Sequence, residues 1–310
     1  MTKLVTIFGG SGFIGRYIAH RMAKRGWRVR VAVRRPNEAI FVKTYGVVGQ
    51  VEPILCNIRD DASVEEALNG ADAVVNCVGI LIEDKKNTFA AVQHSGAERI
   101  GRLSKEVGIK SLVHISAIGA DENSSSIYSS TKAKGENAIV SNFPNAVILR
   151  PSIVFGQEDQ FFNRFAKMAT MAPVLPLIGA STRFQPVYVD DVAKAAEAAL
   201  LGSVPKGIYE LGGPEIKDFR ELMILMLKII KRRRLIINTP RFIAKLMAFA
   251  LSTLQMLTLG LFKNSIITSD QIENLGIDNI VSEKAKGFET LNIDPLDMGS
   301  ILPEYLWRYR

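Results

Sequence analysis

The chain has 310 residues, 47% hydrophobic and 23% charged, a globular balance that excludes a disordered or fibrous protein and leaves length for one large core or two small ones. Its formal net charge is +8, from 39 basic and 31 acidic residues. The excess is local: Leu222 to Ser269 holds eight basic residues (Lys228, Lys231, Arg232, Arg233, Arg234, Arg241, Lys245, Lys263) and no acidic one, so the remainder is balanced.

Along the first half, short β-rich runs alternate with amphipathic helical patterns. Strands are expected at Leu4–Phe8, Arg28–Val33, Val51–Cys56, Ala73–Asn76, Ser111–Ile115 and Ala146–Leu149. Helical stretches between them are Ile14–Lys24, Val64–Leu68, Phe89–Val107 and Thr131–Val140. Alternation of this kind implies βαβ units and a parallel sheet, and wholly apolar runs imply strands covered on both faces. After Pro151 the rhythm changes to a helix at Phe161–Met171, a Pro-rich loop at 173–179, a strand at Gln185–Tyr188 and a helix at Val192–Leu200. From Phe219 the tail reads as helical and basic.

Gly9, Gly12 and Gly15 follow the first strand and open the first helix. The first glycine permits a sharp turn, the second a close approach to a pyrophosphate, and the third tight helix–sheet packing. The helix N-terminus then favours phosphate charge. Where a carboxylate would hold the ribose hydroxyls of NAD(H), this chain has Arg34 and Arg35. Guanidinium groups suit a 2′-phosphate, so NADP(H) is favoured, with NAD(H) as the alternative. Asn57 and the turn Asn76-Cys77-Val78-Gly79 close the third and fourth strands, in place to line adenine and its ribose.

Tyr128 and Lys132 are four apart, on one helix face. An ammonium beside a phenol stabilises phenolate, and the tyrosine can trade a proton while a nicotinamide trades hydride. Ser116 ends the fifth strand as a candidate oxygen binder, with Ser126 as its substitute. Asp190 and Asp191 are expected to cap the helix that follows, and His114 to be a satisfied core histidine. The tail methionines Met223, Met226, Met247 and Met256 read as packing. Cys56 and Cys77 read as buried free thiols of a reducing compartment, and the scattered His20, His94 and His114 predict no metal site. No signal or transit segment precedes the first strand, so a cytoplasmic protein is expected.

With these motifs the first 215 residues or so resemble the extended or atypical short-chain dehydrogenase/reductase superfamily. The resemblance rests on the glycine motif, Asn76–Gly79, Ser116, Tyr128 and Lys132, and Arg150-Pro151-Ser152, with Phe184–Ala195 and Ile208–Glu215 as substrate-lobe elements. It implies an α/β, Rossmann-type doubly wound parallel sheet with a smaller, mostly helical C-terminal lobe. The division falls at 1–155 and 156–310, with the segment near 184–202 packing back and basic, apolar helices at 219–262. It adds Phe13, Ile14, Pro151 and Ile153 to the cofactor-binding set, and leaves Tyr128, Lys132 and Ser116 as catalytic candidates. Departures are Phe8 before the first glycine, Asn57 in place of an acid, and Ala117 in place of a second serine.

Over the whole chain, VVNCVGIL, HISAIGAD, RPSIVFGQEDQFFNRFA, RFQPVYVDDVA, the RRR run and LPEYLWRYR resemble a narrower branch. That branch is the bacterial relatives of the nucleotide-binding alpha-subcomplex subunit nine of respiratory complex I. The resemblance implies an accessory or assembly protein that holds NADPH beside complex I subunits, at the inner face of a bacterial membrane. Residues 246–262 carry no charge but are short and polar for a membrane span. Beside Lys231–Arg234 they suit a membrane surface or a membrane-protein partner, with a buried lobe helix as the alternative. No nucleic-acid partner is expected, because the basic run lacks interleaved aromatics. Two other readings stand: a free-standing NADP(H)-dependent oxidoreductase or epimerase, and a sensor of the NADPH/NADP ratio.

Overall fold

A computed structural model of the chain describes residues 2–240, 242, 273 and 275–310. The whole apolar stretch 246–262, with Met247, Met256, Arg241, Lys245 and Lys263, therefore lies outside the described residues.

The strands β1 (Leu4–Phe8), β2 (Arg28–Val33), β3 (Val51–Leu55), β4 (Ala73–Asn76), β5 (Ser111–Ile115) and β6 (Val147–Pro151) form at the sites the apolar runs indicate, with ends shifted by one or two residues. They lie parallel in a seven-stranded sheet, with β11 (Gly207–Leu211) as the outermost strand beside β6. The spatial order is β11-β6-β5-β4-β1-β2-β3, so the chain winds outward from β1 in both directions. Every residue of β1 and of β4 is buried, because helices cover both faces. One face packs on α1 (Phe13–Lys24) and α6 (Val189–Leu200) through Ile7, Ile18, Val31, Val75 and Val192. The other packs on α2 (Asp61–Leu68), α3 (Ser95–Glu106) and α4 (Ile127–Asn142) through Phe8, Leu68, Val74, Ile100, Leu112 and Ile139. This is the doubly wound, Rossmann-type architecture expected.

Local chemistry sets the helix starts. Asp60 caps α2 by accepting the Ala62 N–H at 3.2 Å, and Ser126 caps α4 by accepting that of Ser129 at 3.2 Å. Where a single helix was expected over 89–107, a π-helical turn at Ala90–His94 leads into α3.

A second core lies under the substrate-side lobe. It joins α5 (Phe162–Met171), β8 (Val174–Leu177), α7 (Phe219–Ile229) and a C-terminal helix (Met298–Leu306), which follows a short helix α8 (Phe288–Leu291) and is numbered α9. Phe155, Phe161, Phe162, Phe165, Phe184 and Phe219 interlock at its centre with largely edge-to-face rings. Three two-stranded pairs edge it: β7 (Val154–Phe155) with β10 (Val187–Tyr188), β9 (Arg183–Phe184) with β12 (Lys217–Asp218), and β8 with β13 (Leu235–Asn238).

Several expectations are corrected. The Pro-rich segment is strand β8 and not a loop: its register with β13 places Pro176 opposite Ile237. Asp190 and Asp191 do not cap α6, which starts at Val189; both sit in its first turn. Asp190 instead takes a two-pronged bond from Arg21 at 2.7 and 2.6 Å, and the fully buried Asp191 pairs with Lys194 at 2.7 Å and accepts the Leu296 N–H. Apart from these corrections, α6, within the segment near 184–202 expected to pack back, and β11 both lie in the layers of the main sheet.

Candidate cofactor and active site

Gly9 turns the chain out of β1 with a φ of +75°, a conformation that favours glycine. A Cβ placed on Gly15 would stand 2.5 Å from the Gly9 carbonyl and 2.8 Å from the Gly10 Cα, so only glycine lets α1 start this close to the turn. Gly12 precedes α1 and offers no side-chain cap, and the first turn carries no acidic residue. Its leading N–H groups are therefore available to an anion. Phe13 and Ile14, in this first turn, are half-buried.

Arg34 and Arg35 follow β2, but the structure separates their roles. Arg35 pairs with Glu38 at 3.0 Å, whereas Arg34 is exposed and has no hydrogen bond or ion pair to a described residue. Asn57 is bound within its own turn, accepting the Arg59 N–H at 3.2 Å. Asn76 is buried; its Oδ1 accepts the Val78 N–H at 3.0 Å, which shapes the 76–79 turn. That turn lies against the glycine loop: a Cβ on Gly9 would be 3.3 Å from Cys77 and Val78 atoms. Burial pushes the Cys77 thiol up to about 12, so it stays neutral. Gly79 then brings the turn to Lys132, whose Nζ is 3.6 Å from where a Cβ would sit.

Lys132 is buried on α4 and donates to the Ile115 carbonyl at 3.0 Å. Burial presses its ammonium down to about 8, while the charge of Glu136 pulls the other way. Tyr128, one turn earlier, is half-buried and meets the Phe89 ring edge-on at 5.9 Å. The spacing of four continues to Glu136, which sequence reading missed. Glu136 is only 2% exposed; it accepts the Ser116 hydroxyl and a forked bond from Arg150, whose shorter arm is 2.6 Å. Glu210 stands 3.6 Å on the far side of Arg150. Ser116, next to the Ile115 carbonyl that Lys132 bonds, has its proton committed to Glu136, leaving it as an acceptor. Pro151 and Ile153 leave β6 here: the Pro151 carbonyl accepts the Ile118 N–H, and that of Ile153 the Val187 N–H.

A short segment at 156–159 crosses from the second core to α1. Glu158 accepts the Tyr17 hydroxyl at 2.9 Å and pairs with Arg16 at 3.3 Å. Asp159 accepts the Tyr305 hydroxyl of α9, and the Gln157 carbonyl accepts from Arg308. The cofactor loop and the C-terminal helix are therefore tied through four residues.

The uncapped helix start and the glycine cradle together fit the pyrophosphate of a dinucleotide. Among the described residues there is no cluster of His, Cys, Asp or Glu that could hold a metal ion.

The profile of the NAD dependent epimerase/dehydratase family matches residues 5–212. Subunit 9 of the NADH dehydrogenase [ubiquinone] 1 alpha subcomplex from Arabidopsis thaliana, a mitochondrial protein, is 34% identical over 99% of this chain and 78% of its own length. A ceramide reductase from Caulobacter vibrioides is 28% identical over 67% of this chain and 64% of its own. Among solved structures, a dTDP-glucose 4,6-dehydratase from Bacillus anthracis in complex with NAD superposes with a TM-score of 0.71 at 15% identity, covering 99% of this chain and 96% of that one. With its glycine turn and its seven parallel strands within the matched span, the chain belongs to the NAD dependent epimerase/dehydratase family.

Proposed function

We propose that this protein is a nicotinamide-dinucleotide-holding accessory subunit of respiratory complex I, binding NADP(H) in preference to NAD(H). The observation that carries the reading is the similarity to complex I subunit 9, which runs past the shared domain and through the C-terminal lobe. Cofactor choice rests on Arg34, a cation without a partner among the described residues at the end of β2, where a 2′-phosphate would lie. When bound, the nicotinamide supplies a hydride; this chain's part is to hold it. The glycine loop and α1 take the pyrophosphate, and Lys132, beside Gly79, takes the ribose hydroxyls. Glu136 keeps Ser116 from donating to a substrate oxygen, which suits retention over turnover. Attachment is peripheral in this reading: no helix of the described residues is long and apolar enough to cross a membrane.

The test is fractionation of native membranes, with the protein expected to co-migrate with complex I; its absence from that band would overturn the assignment. Arg34→Ala is expected to weaken NADP(H) roughly 10- to 100-fold, as for one charged hydrogen bond, and NAD(H) little. Equal losses in a calorimetric titration would remove the 2′-phosphate role.

A second reading is a reductase. The intact Tyr128–Lys132 pair on one face of α4 favours it, and so does the similarity to a ceramide reductase. Tyr128 would then give its phenolic proton to the carbonyl oxygen of a substrate whose carbonyl carbon takes the hydride.

A further inference from the structure

The walls of the Tyr128–Lys132 site carry several exposed aliphatic side chains. The segment from Gly79 to Phe89 starts beside the Lys132 Nζ and ends with the Phe89 ring against Tyr128. Between these points Gln93 donates to the Ile80 carbonyl at 2.9 Å and accepts from Thr131 at 2.9 Å, which fastens the segment to the first turns of α4. On this fastened wall Leu81 is 59% exposed and Ile82 36%. Ile127, the residue before Tyr128, is 59% exposed. Past the end of β5, Asn279 donates to the Ile118 carbonyl at 3.3 Å and accepts the Ser152 hydroxyl at 2.7 Å, and Ile277, two residues earlier, is 58% exposed. Single exposed aliphatics are ordinary on a protein surface; several around one polar pair are not.

Charge narrows the occupant. The loop from Ser116 to Tyr128 contains Asp121 and Glu122 and no cation. A nucleotide diphosphate entering there would meet two carboxylates. In the facing segment the exposed Glu83 and Asp84 balance Lys85 and Lys86, and the Lys86 carbonyl accepts from Arg59 beyond β3. We propose that this mouth takes an uncharged ligand with a long aliphatic chain, its carbonyl or hydroxyl group presented to Tyr128 and its chain lying along Leu81, Ile82 and Ile127. The proposal deepens the second reading by naming its ligand class, and it needs binding alone.

The test is isothermal titration of the full chain with 2-hexanone, 2-octanone, 2-decanone and dTDP-glucose, each with and without NADPH. Affinity is expected to rise roughly three- to fourfold per added methylene, the increment of burying one CH₂, while dTDP-glucose gives no heat. The double variant Leu81→Ser, Ile127→Ser should flatten the series and leave NADPH affinity unchanged. A flat series in the native chain, or saturable binding of dTDP-glucose, would overturn the proposal. Failure of NADPH to bind would instead sink the cofactor reading, and the alkanone series without NADPH would still decide this one.

Discussion

At the scale of the residue, His114 departs most from expectation. It is buried, as its place in an apolar strand predicts, but only half satisfied. The Asn76 amide gives its oxygen to Val78, so its nitrogen donates to the His114 Nδ1 at 3.1 Å. The ring proton then sits on Nε2, which has no partner among the described residues. Burial, with the Lys132 charge adding to it, pushes the imidazole down to about 3. In the unfolded chain it takes a proton near pH 6.5. Between those values the unfolded state holds one proton more, so stability falls as pH falls, by ~1.4 kcal/mol per pH unit from this group. His114→Asn is expected to remove that slope from the unfolding free energy measured in urea between about pH 3.5 and 6. An unchanged slope would place the acid sensitivity elsewhere.

The element scale shows why α4 can present its three functional side chains at all. Tyr128, Lys132 and Glu136 are spaced by four, but a helix face is useful only at the right distance from the sheet. Gly135 sets that distance. A Cβ there would stand 2.1 Å from the Gln93 carbonyl, a backbone atom in the π-helical turn before α3. Gly135→Ala must push the two helices apart or unwind the turn, at about 1–3 kcal/mol or more. It should lower Tm by several degrees and weaken NADPH binding, because Lys132 moves with the helix. Gly101→Ala, on the same interface but with its nearest neighbour at 3.3 Å, should do less. Equal Tm values for both variants would refute this ordering. The Lys-x-x-Gly spacing is plain in the sequence, but nothing local says what the glycine faces.

For the whole molecule, the position of the charge matters more than its total. Of the described basic run, Arg232 and Arg234 are held inward by carbonyls of Tyr309, Arg310 and Ala169, so they fasten the chain terminus to α5 and α7. Lys228, Lys231 and Arg233 carry no such bond among the described residues and form, with the basic residues beyond Pro240, the candidate docking charge. If that charge meets an anionic lipid surface, binding should be strong at about 0.1 M salt, where the screening length is about 10 Å, and weak at about 1 M, where it is about 3 Å. Vesicle co-sedimentation checks this; equal binding to neutral and anionic vesicles at low salt would remove the electrostatic role.

Local pattern alone determined much of this protein: six of the seven sheet strands, their parallel direction, the glycine turn and the Tyr128–Lys132 pair all follow from periodicity and spacing, which are properties of contiguous residues. The seventh strand, β11, was legible only as part of the substrate-side segment, because its partner β6 lies more than 50 residues earlier in the chain. The pairing of β8 with β13, the commitment of Ser116 to Glu136, the capture of Asp190 by Arg21 and the exposed aliphatic side chains near Tyr128 were decided by the tertiary structure. Each depends on which distant side chains meet in a low-dielectric interior, where a buried charge must find a partner, and no window of sequence contains that information.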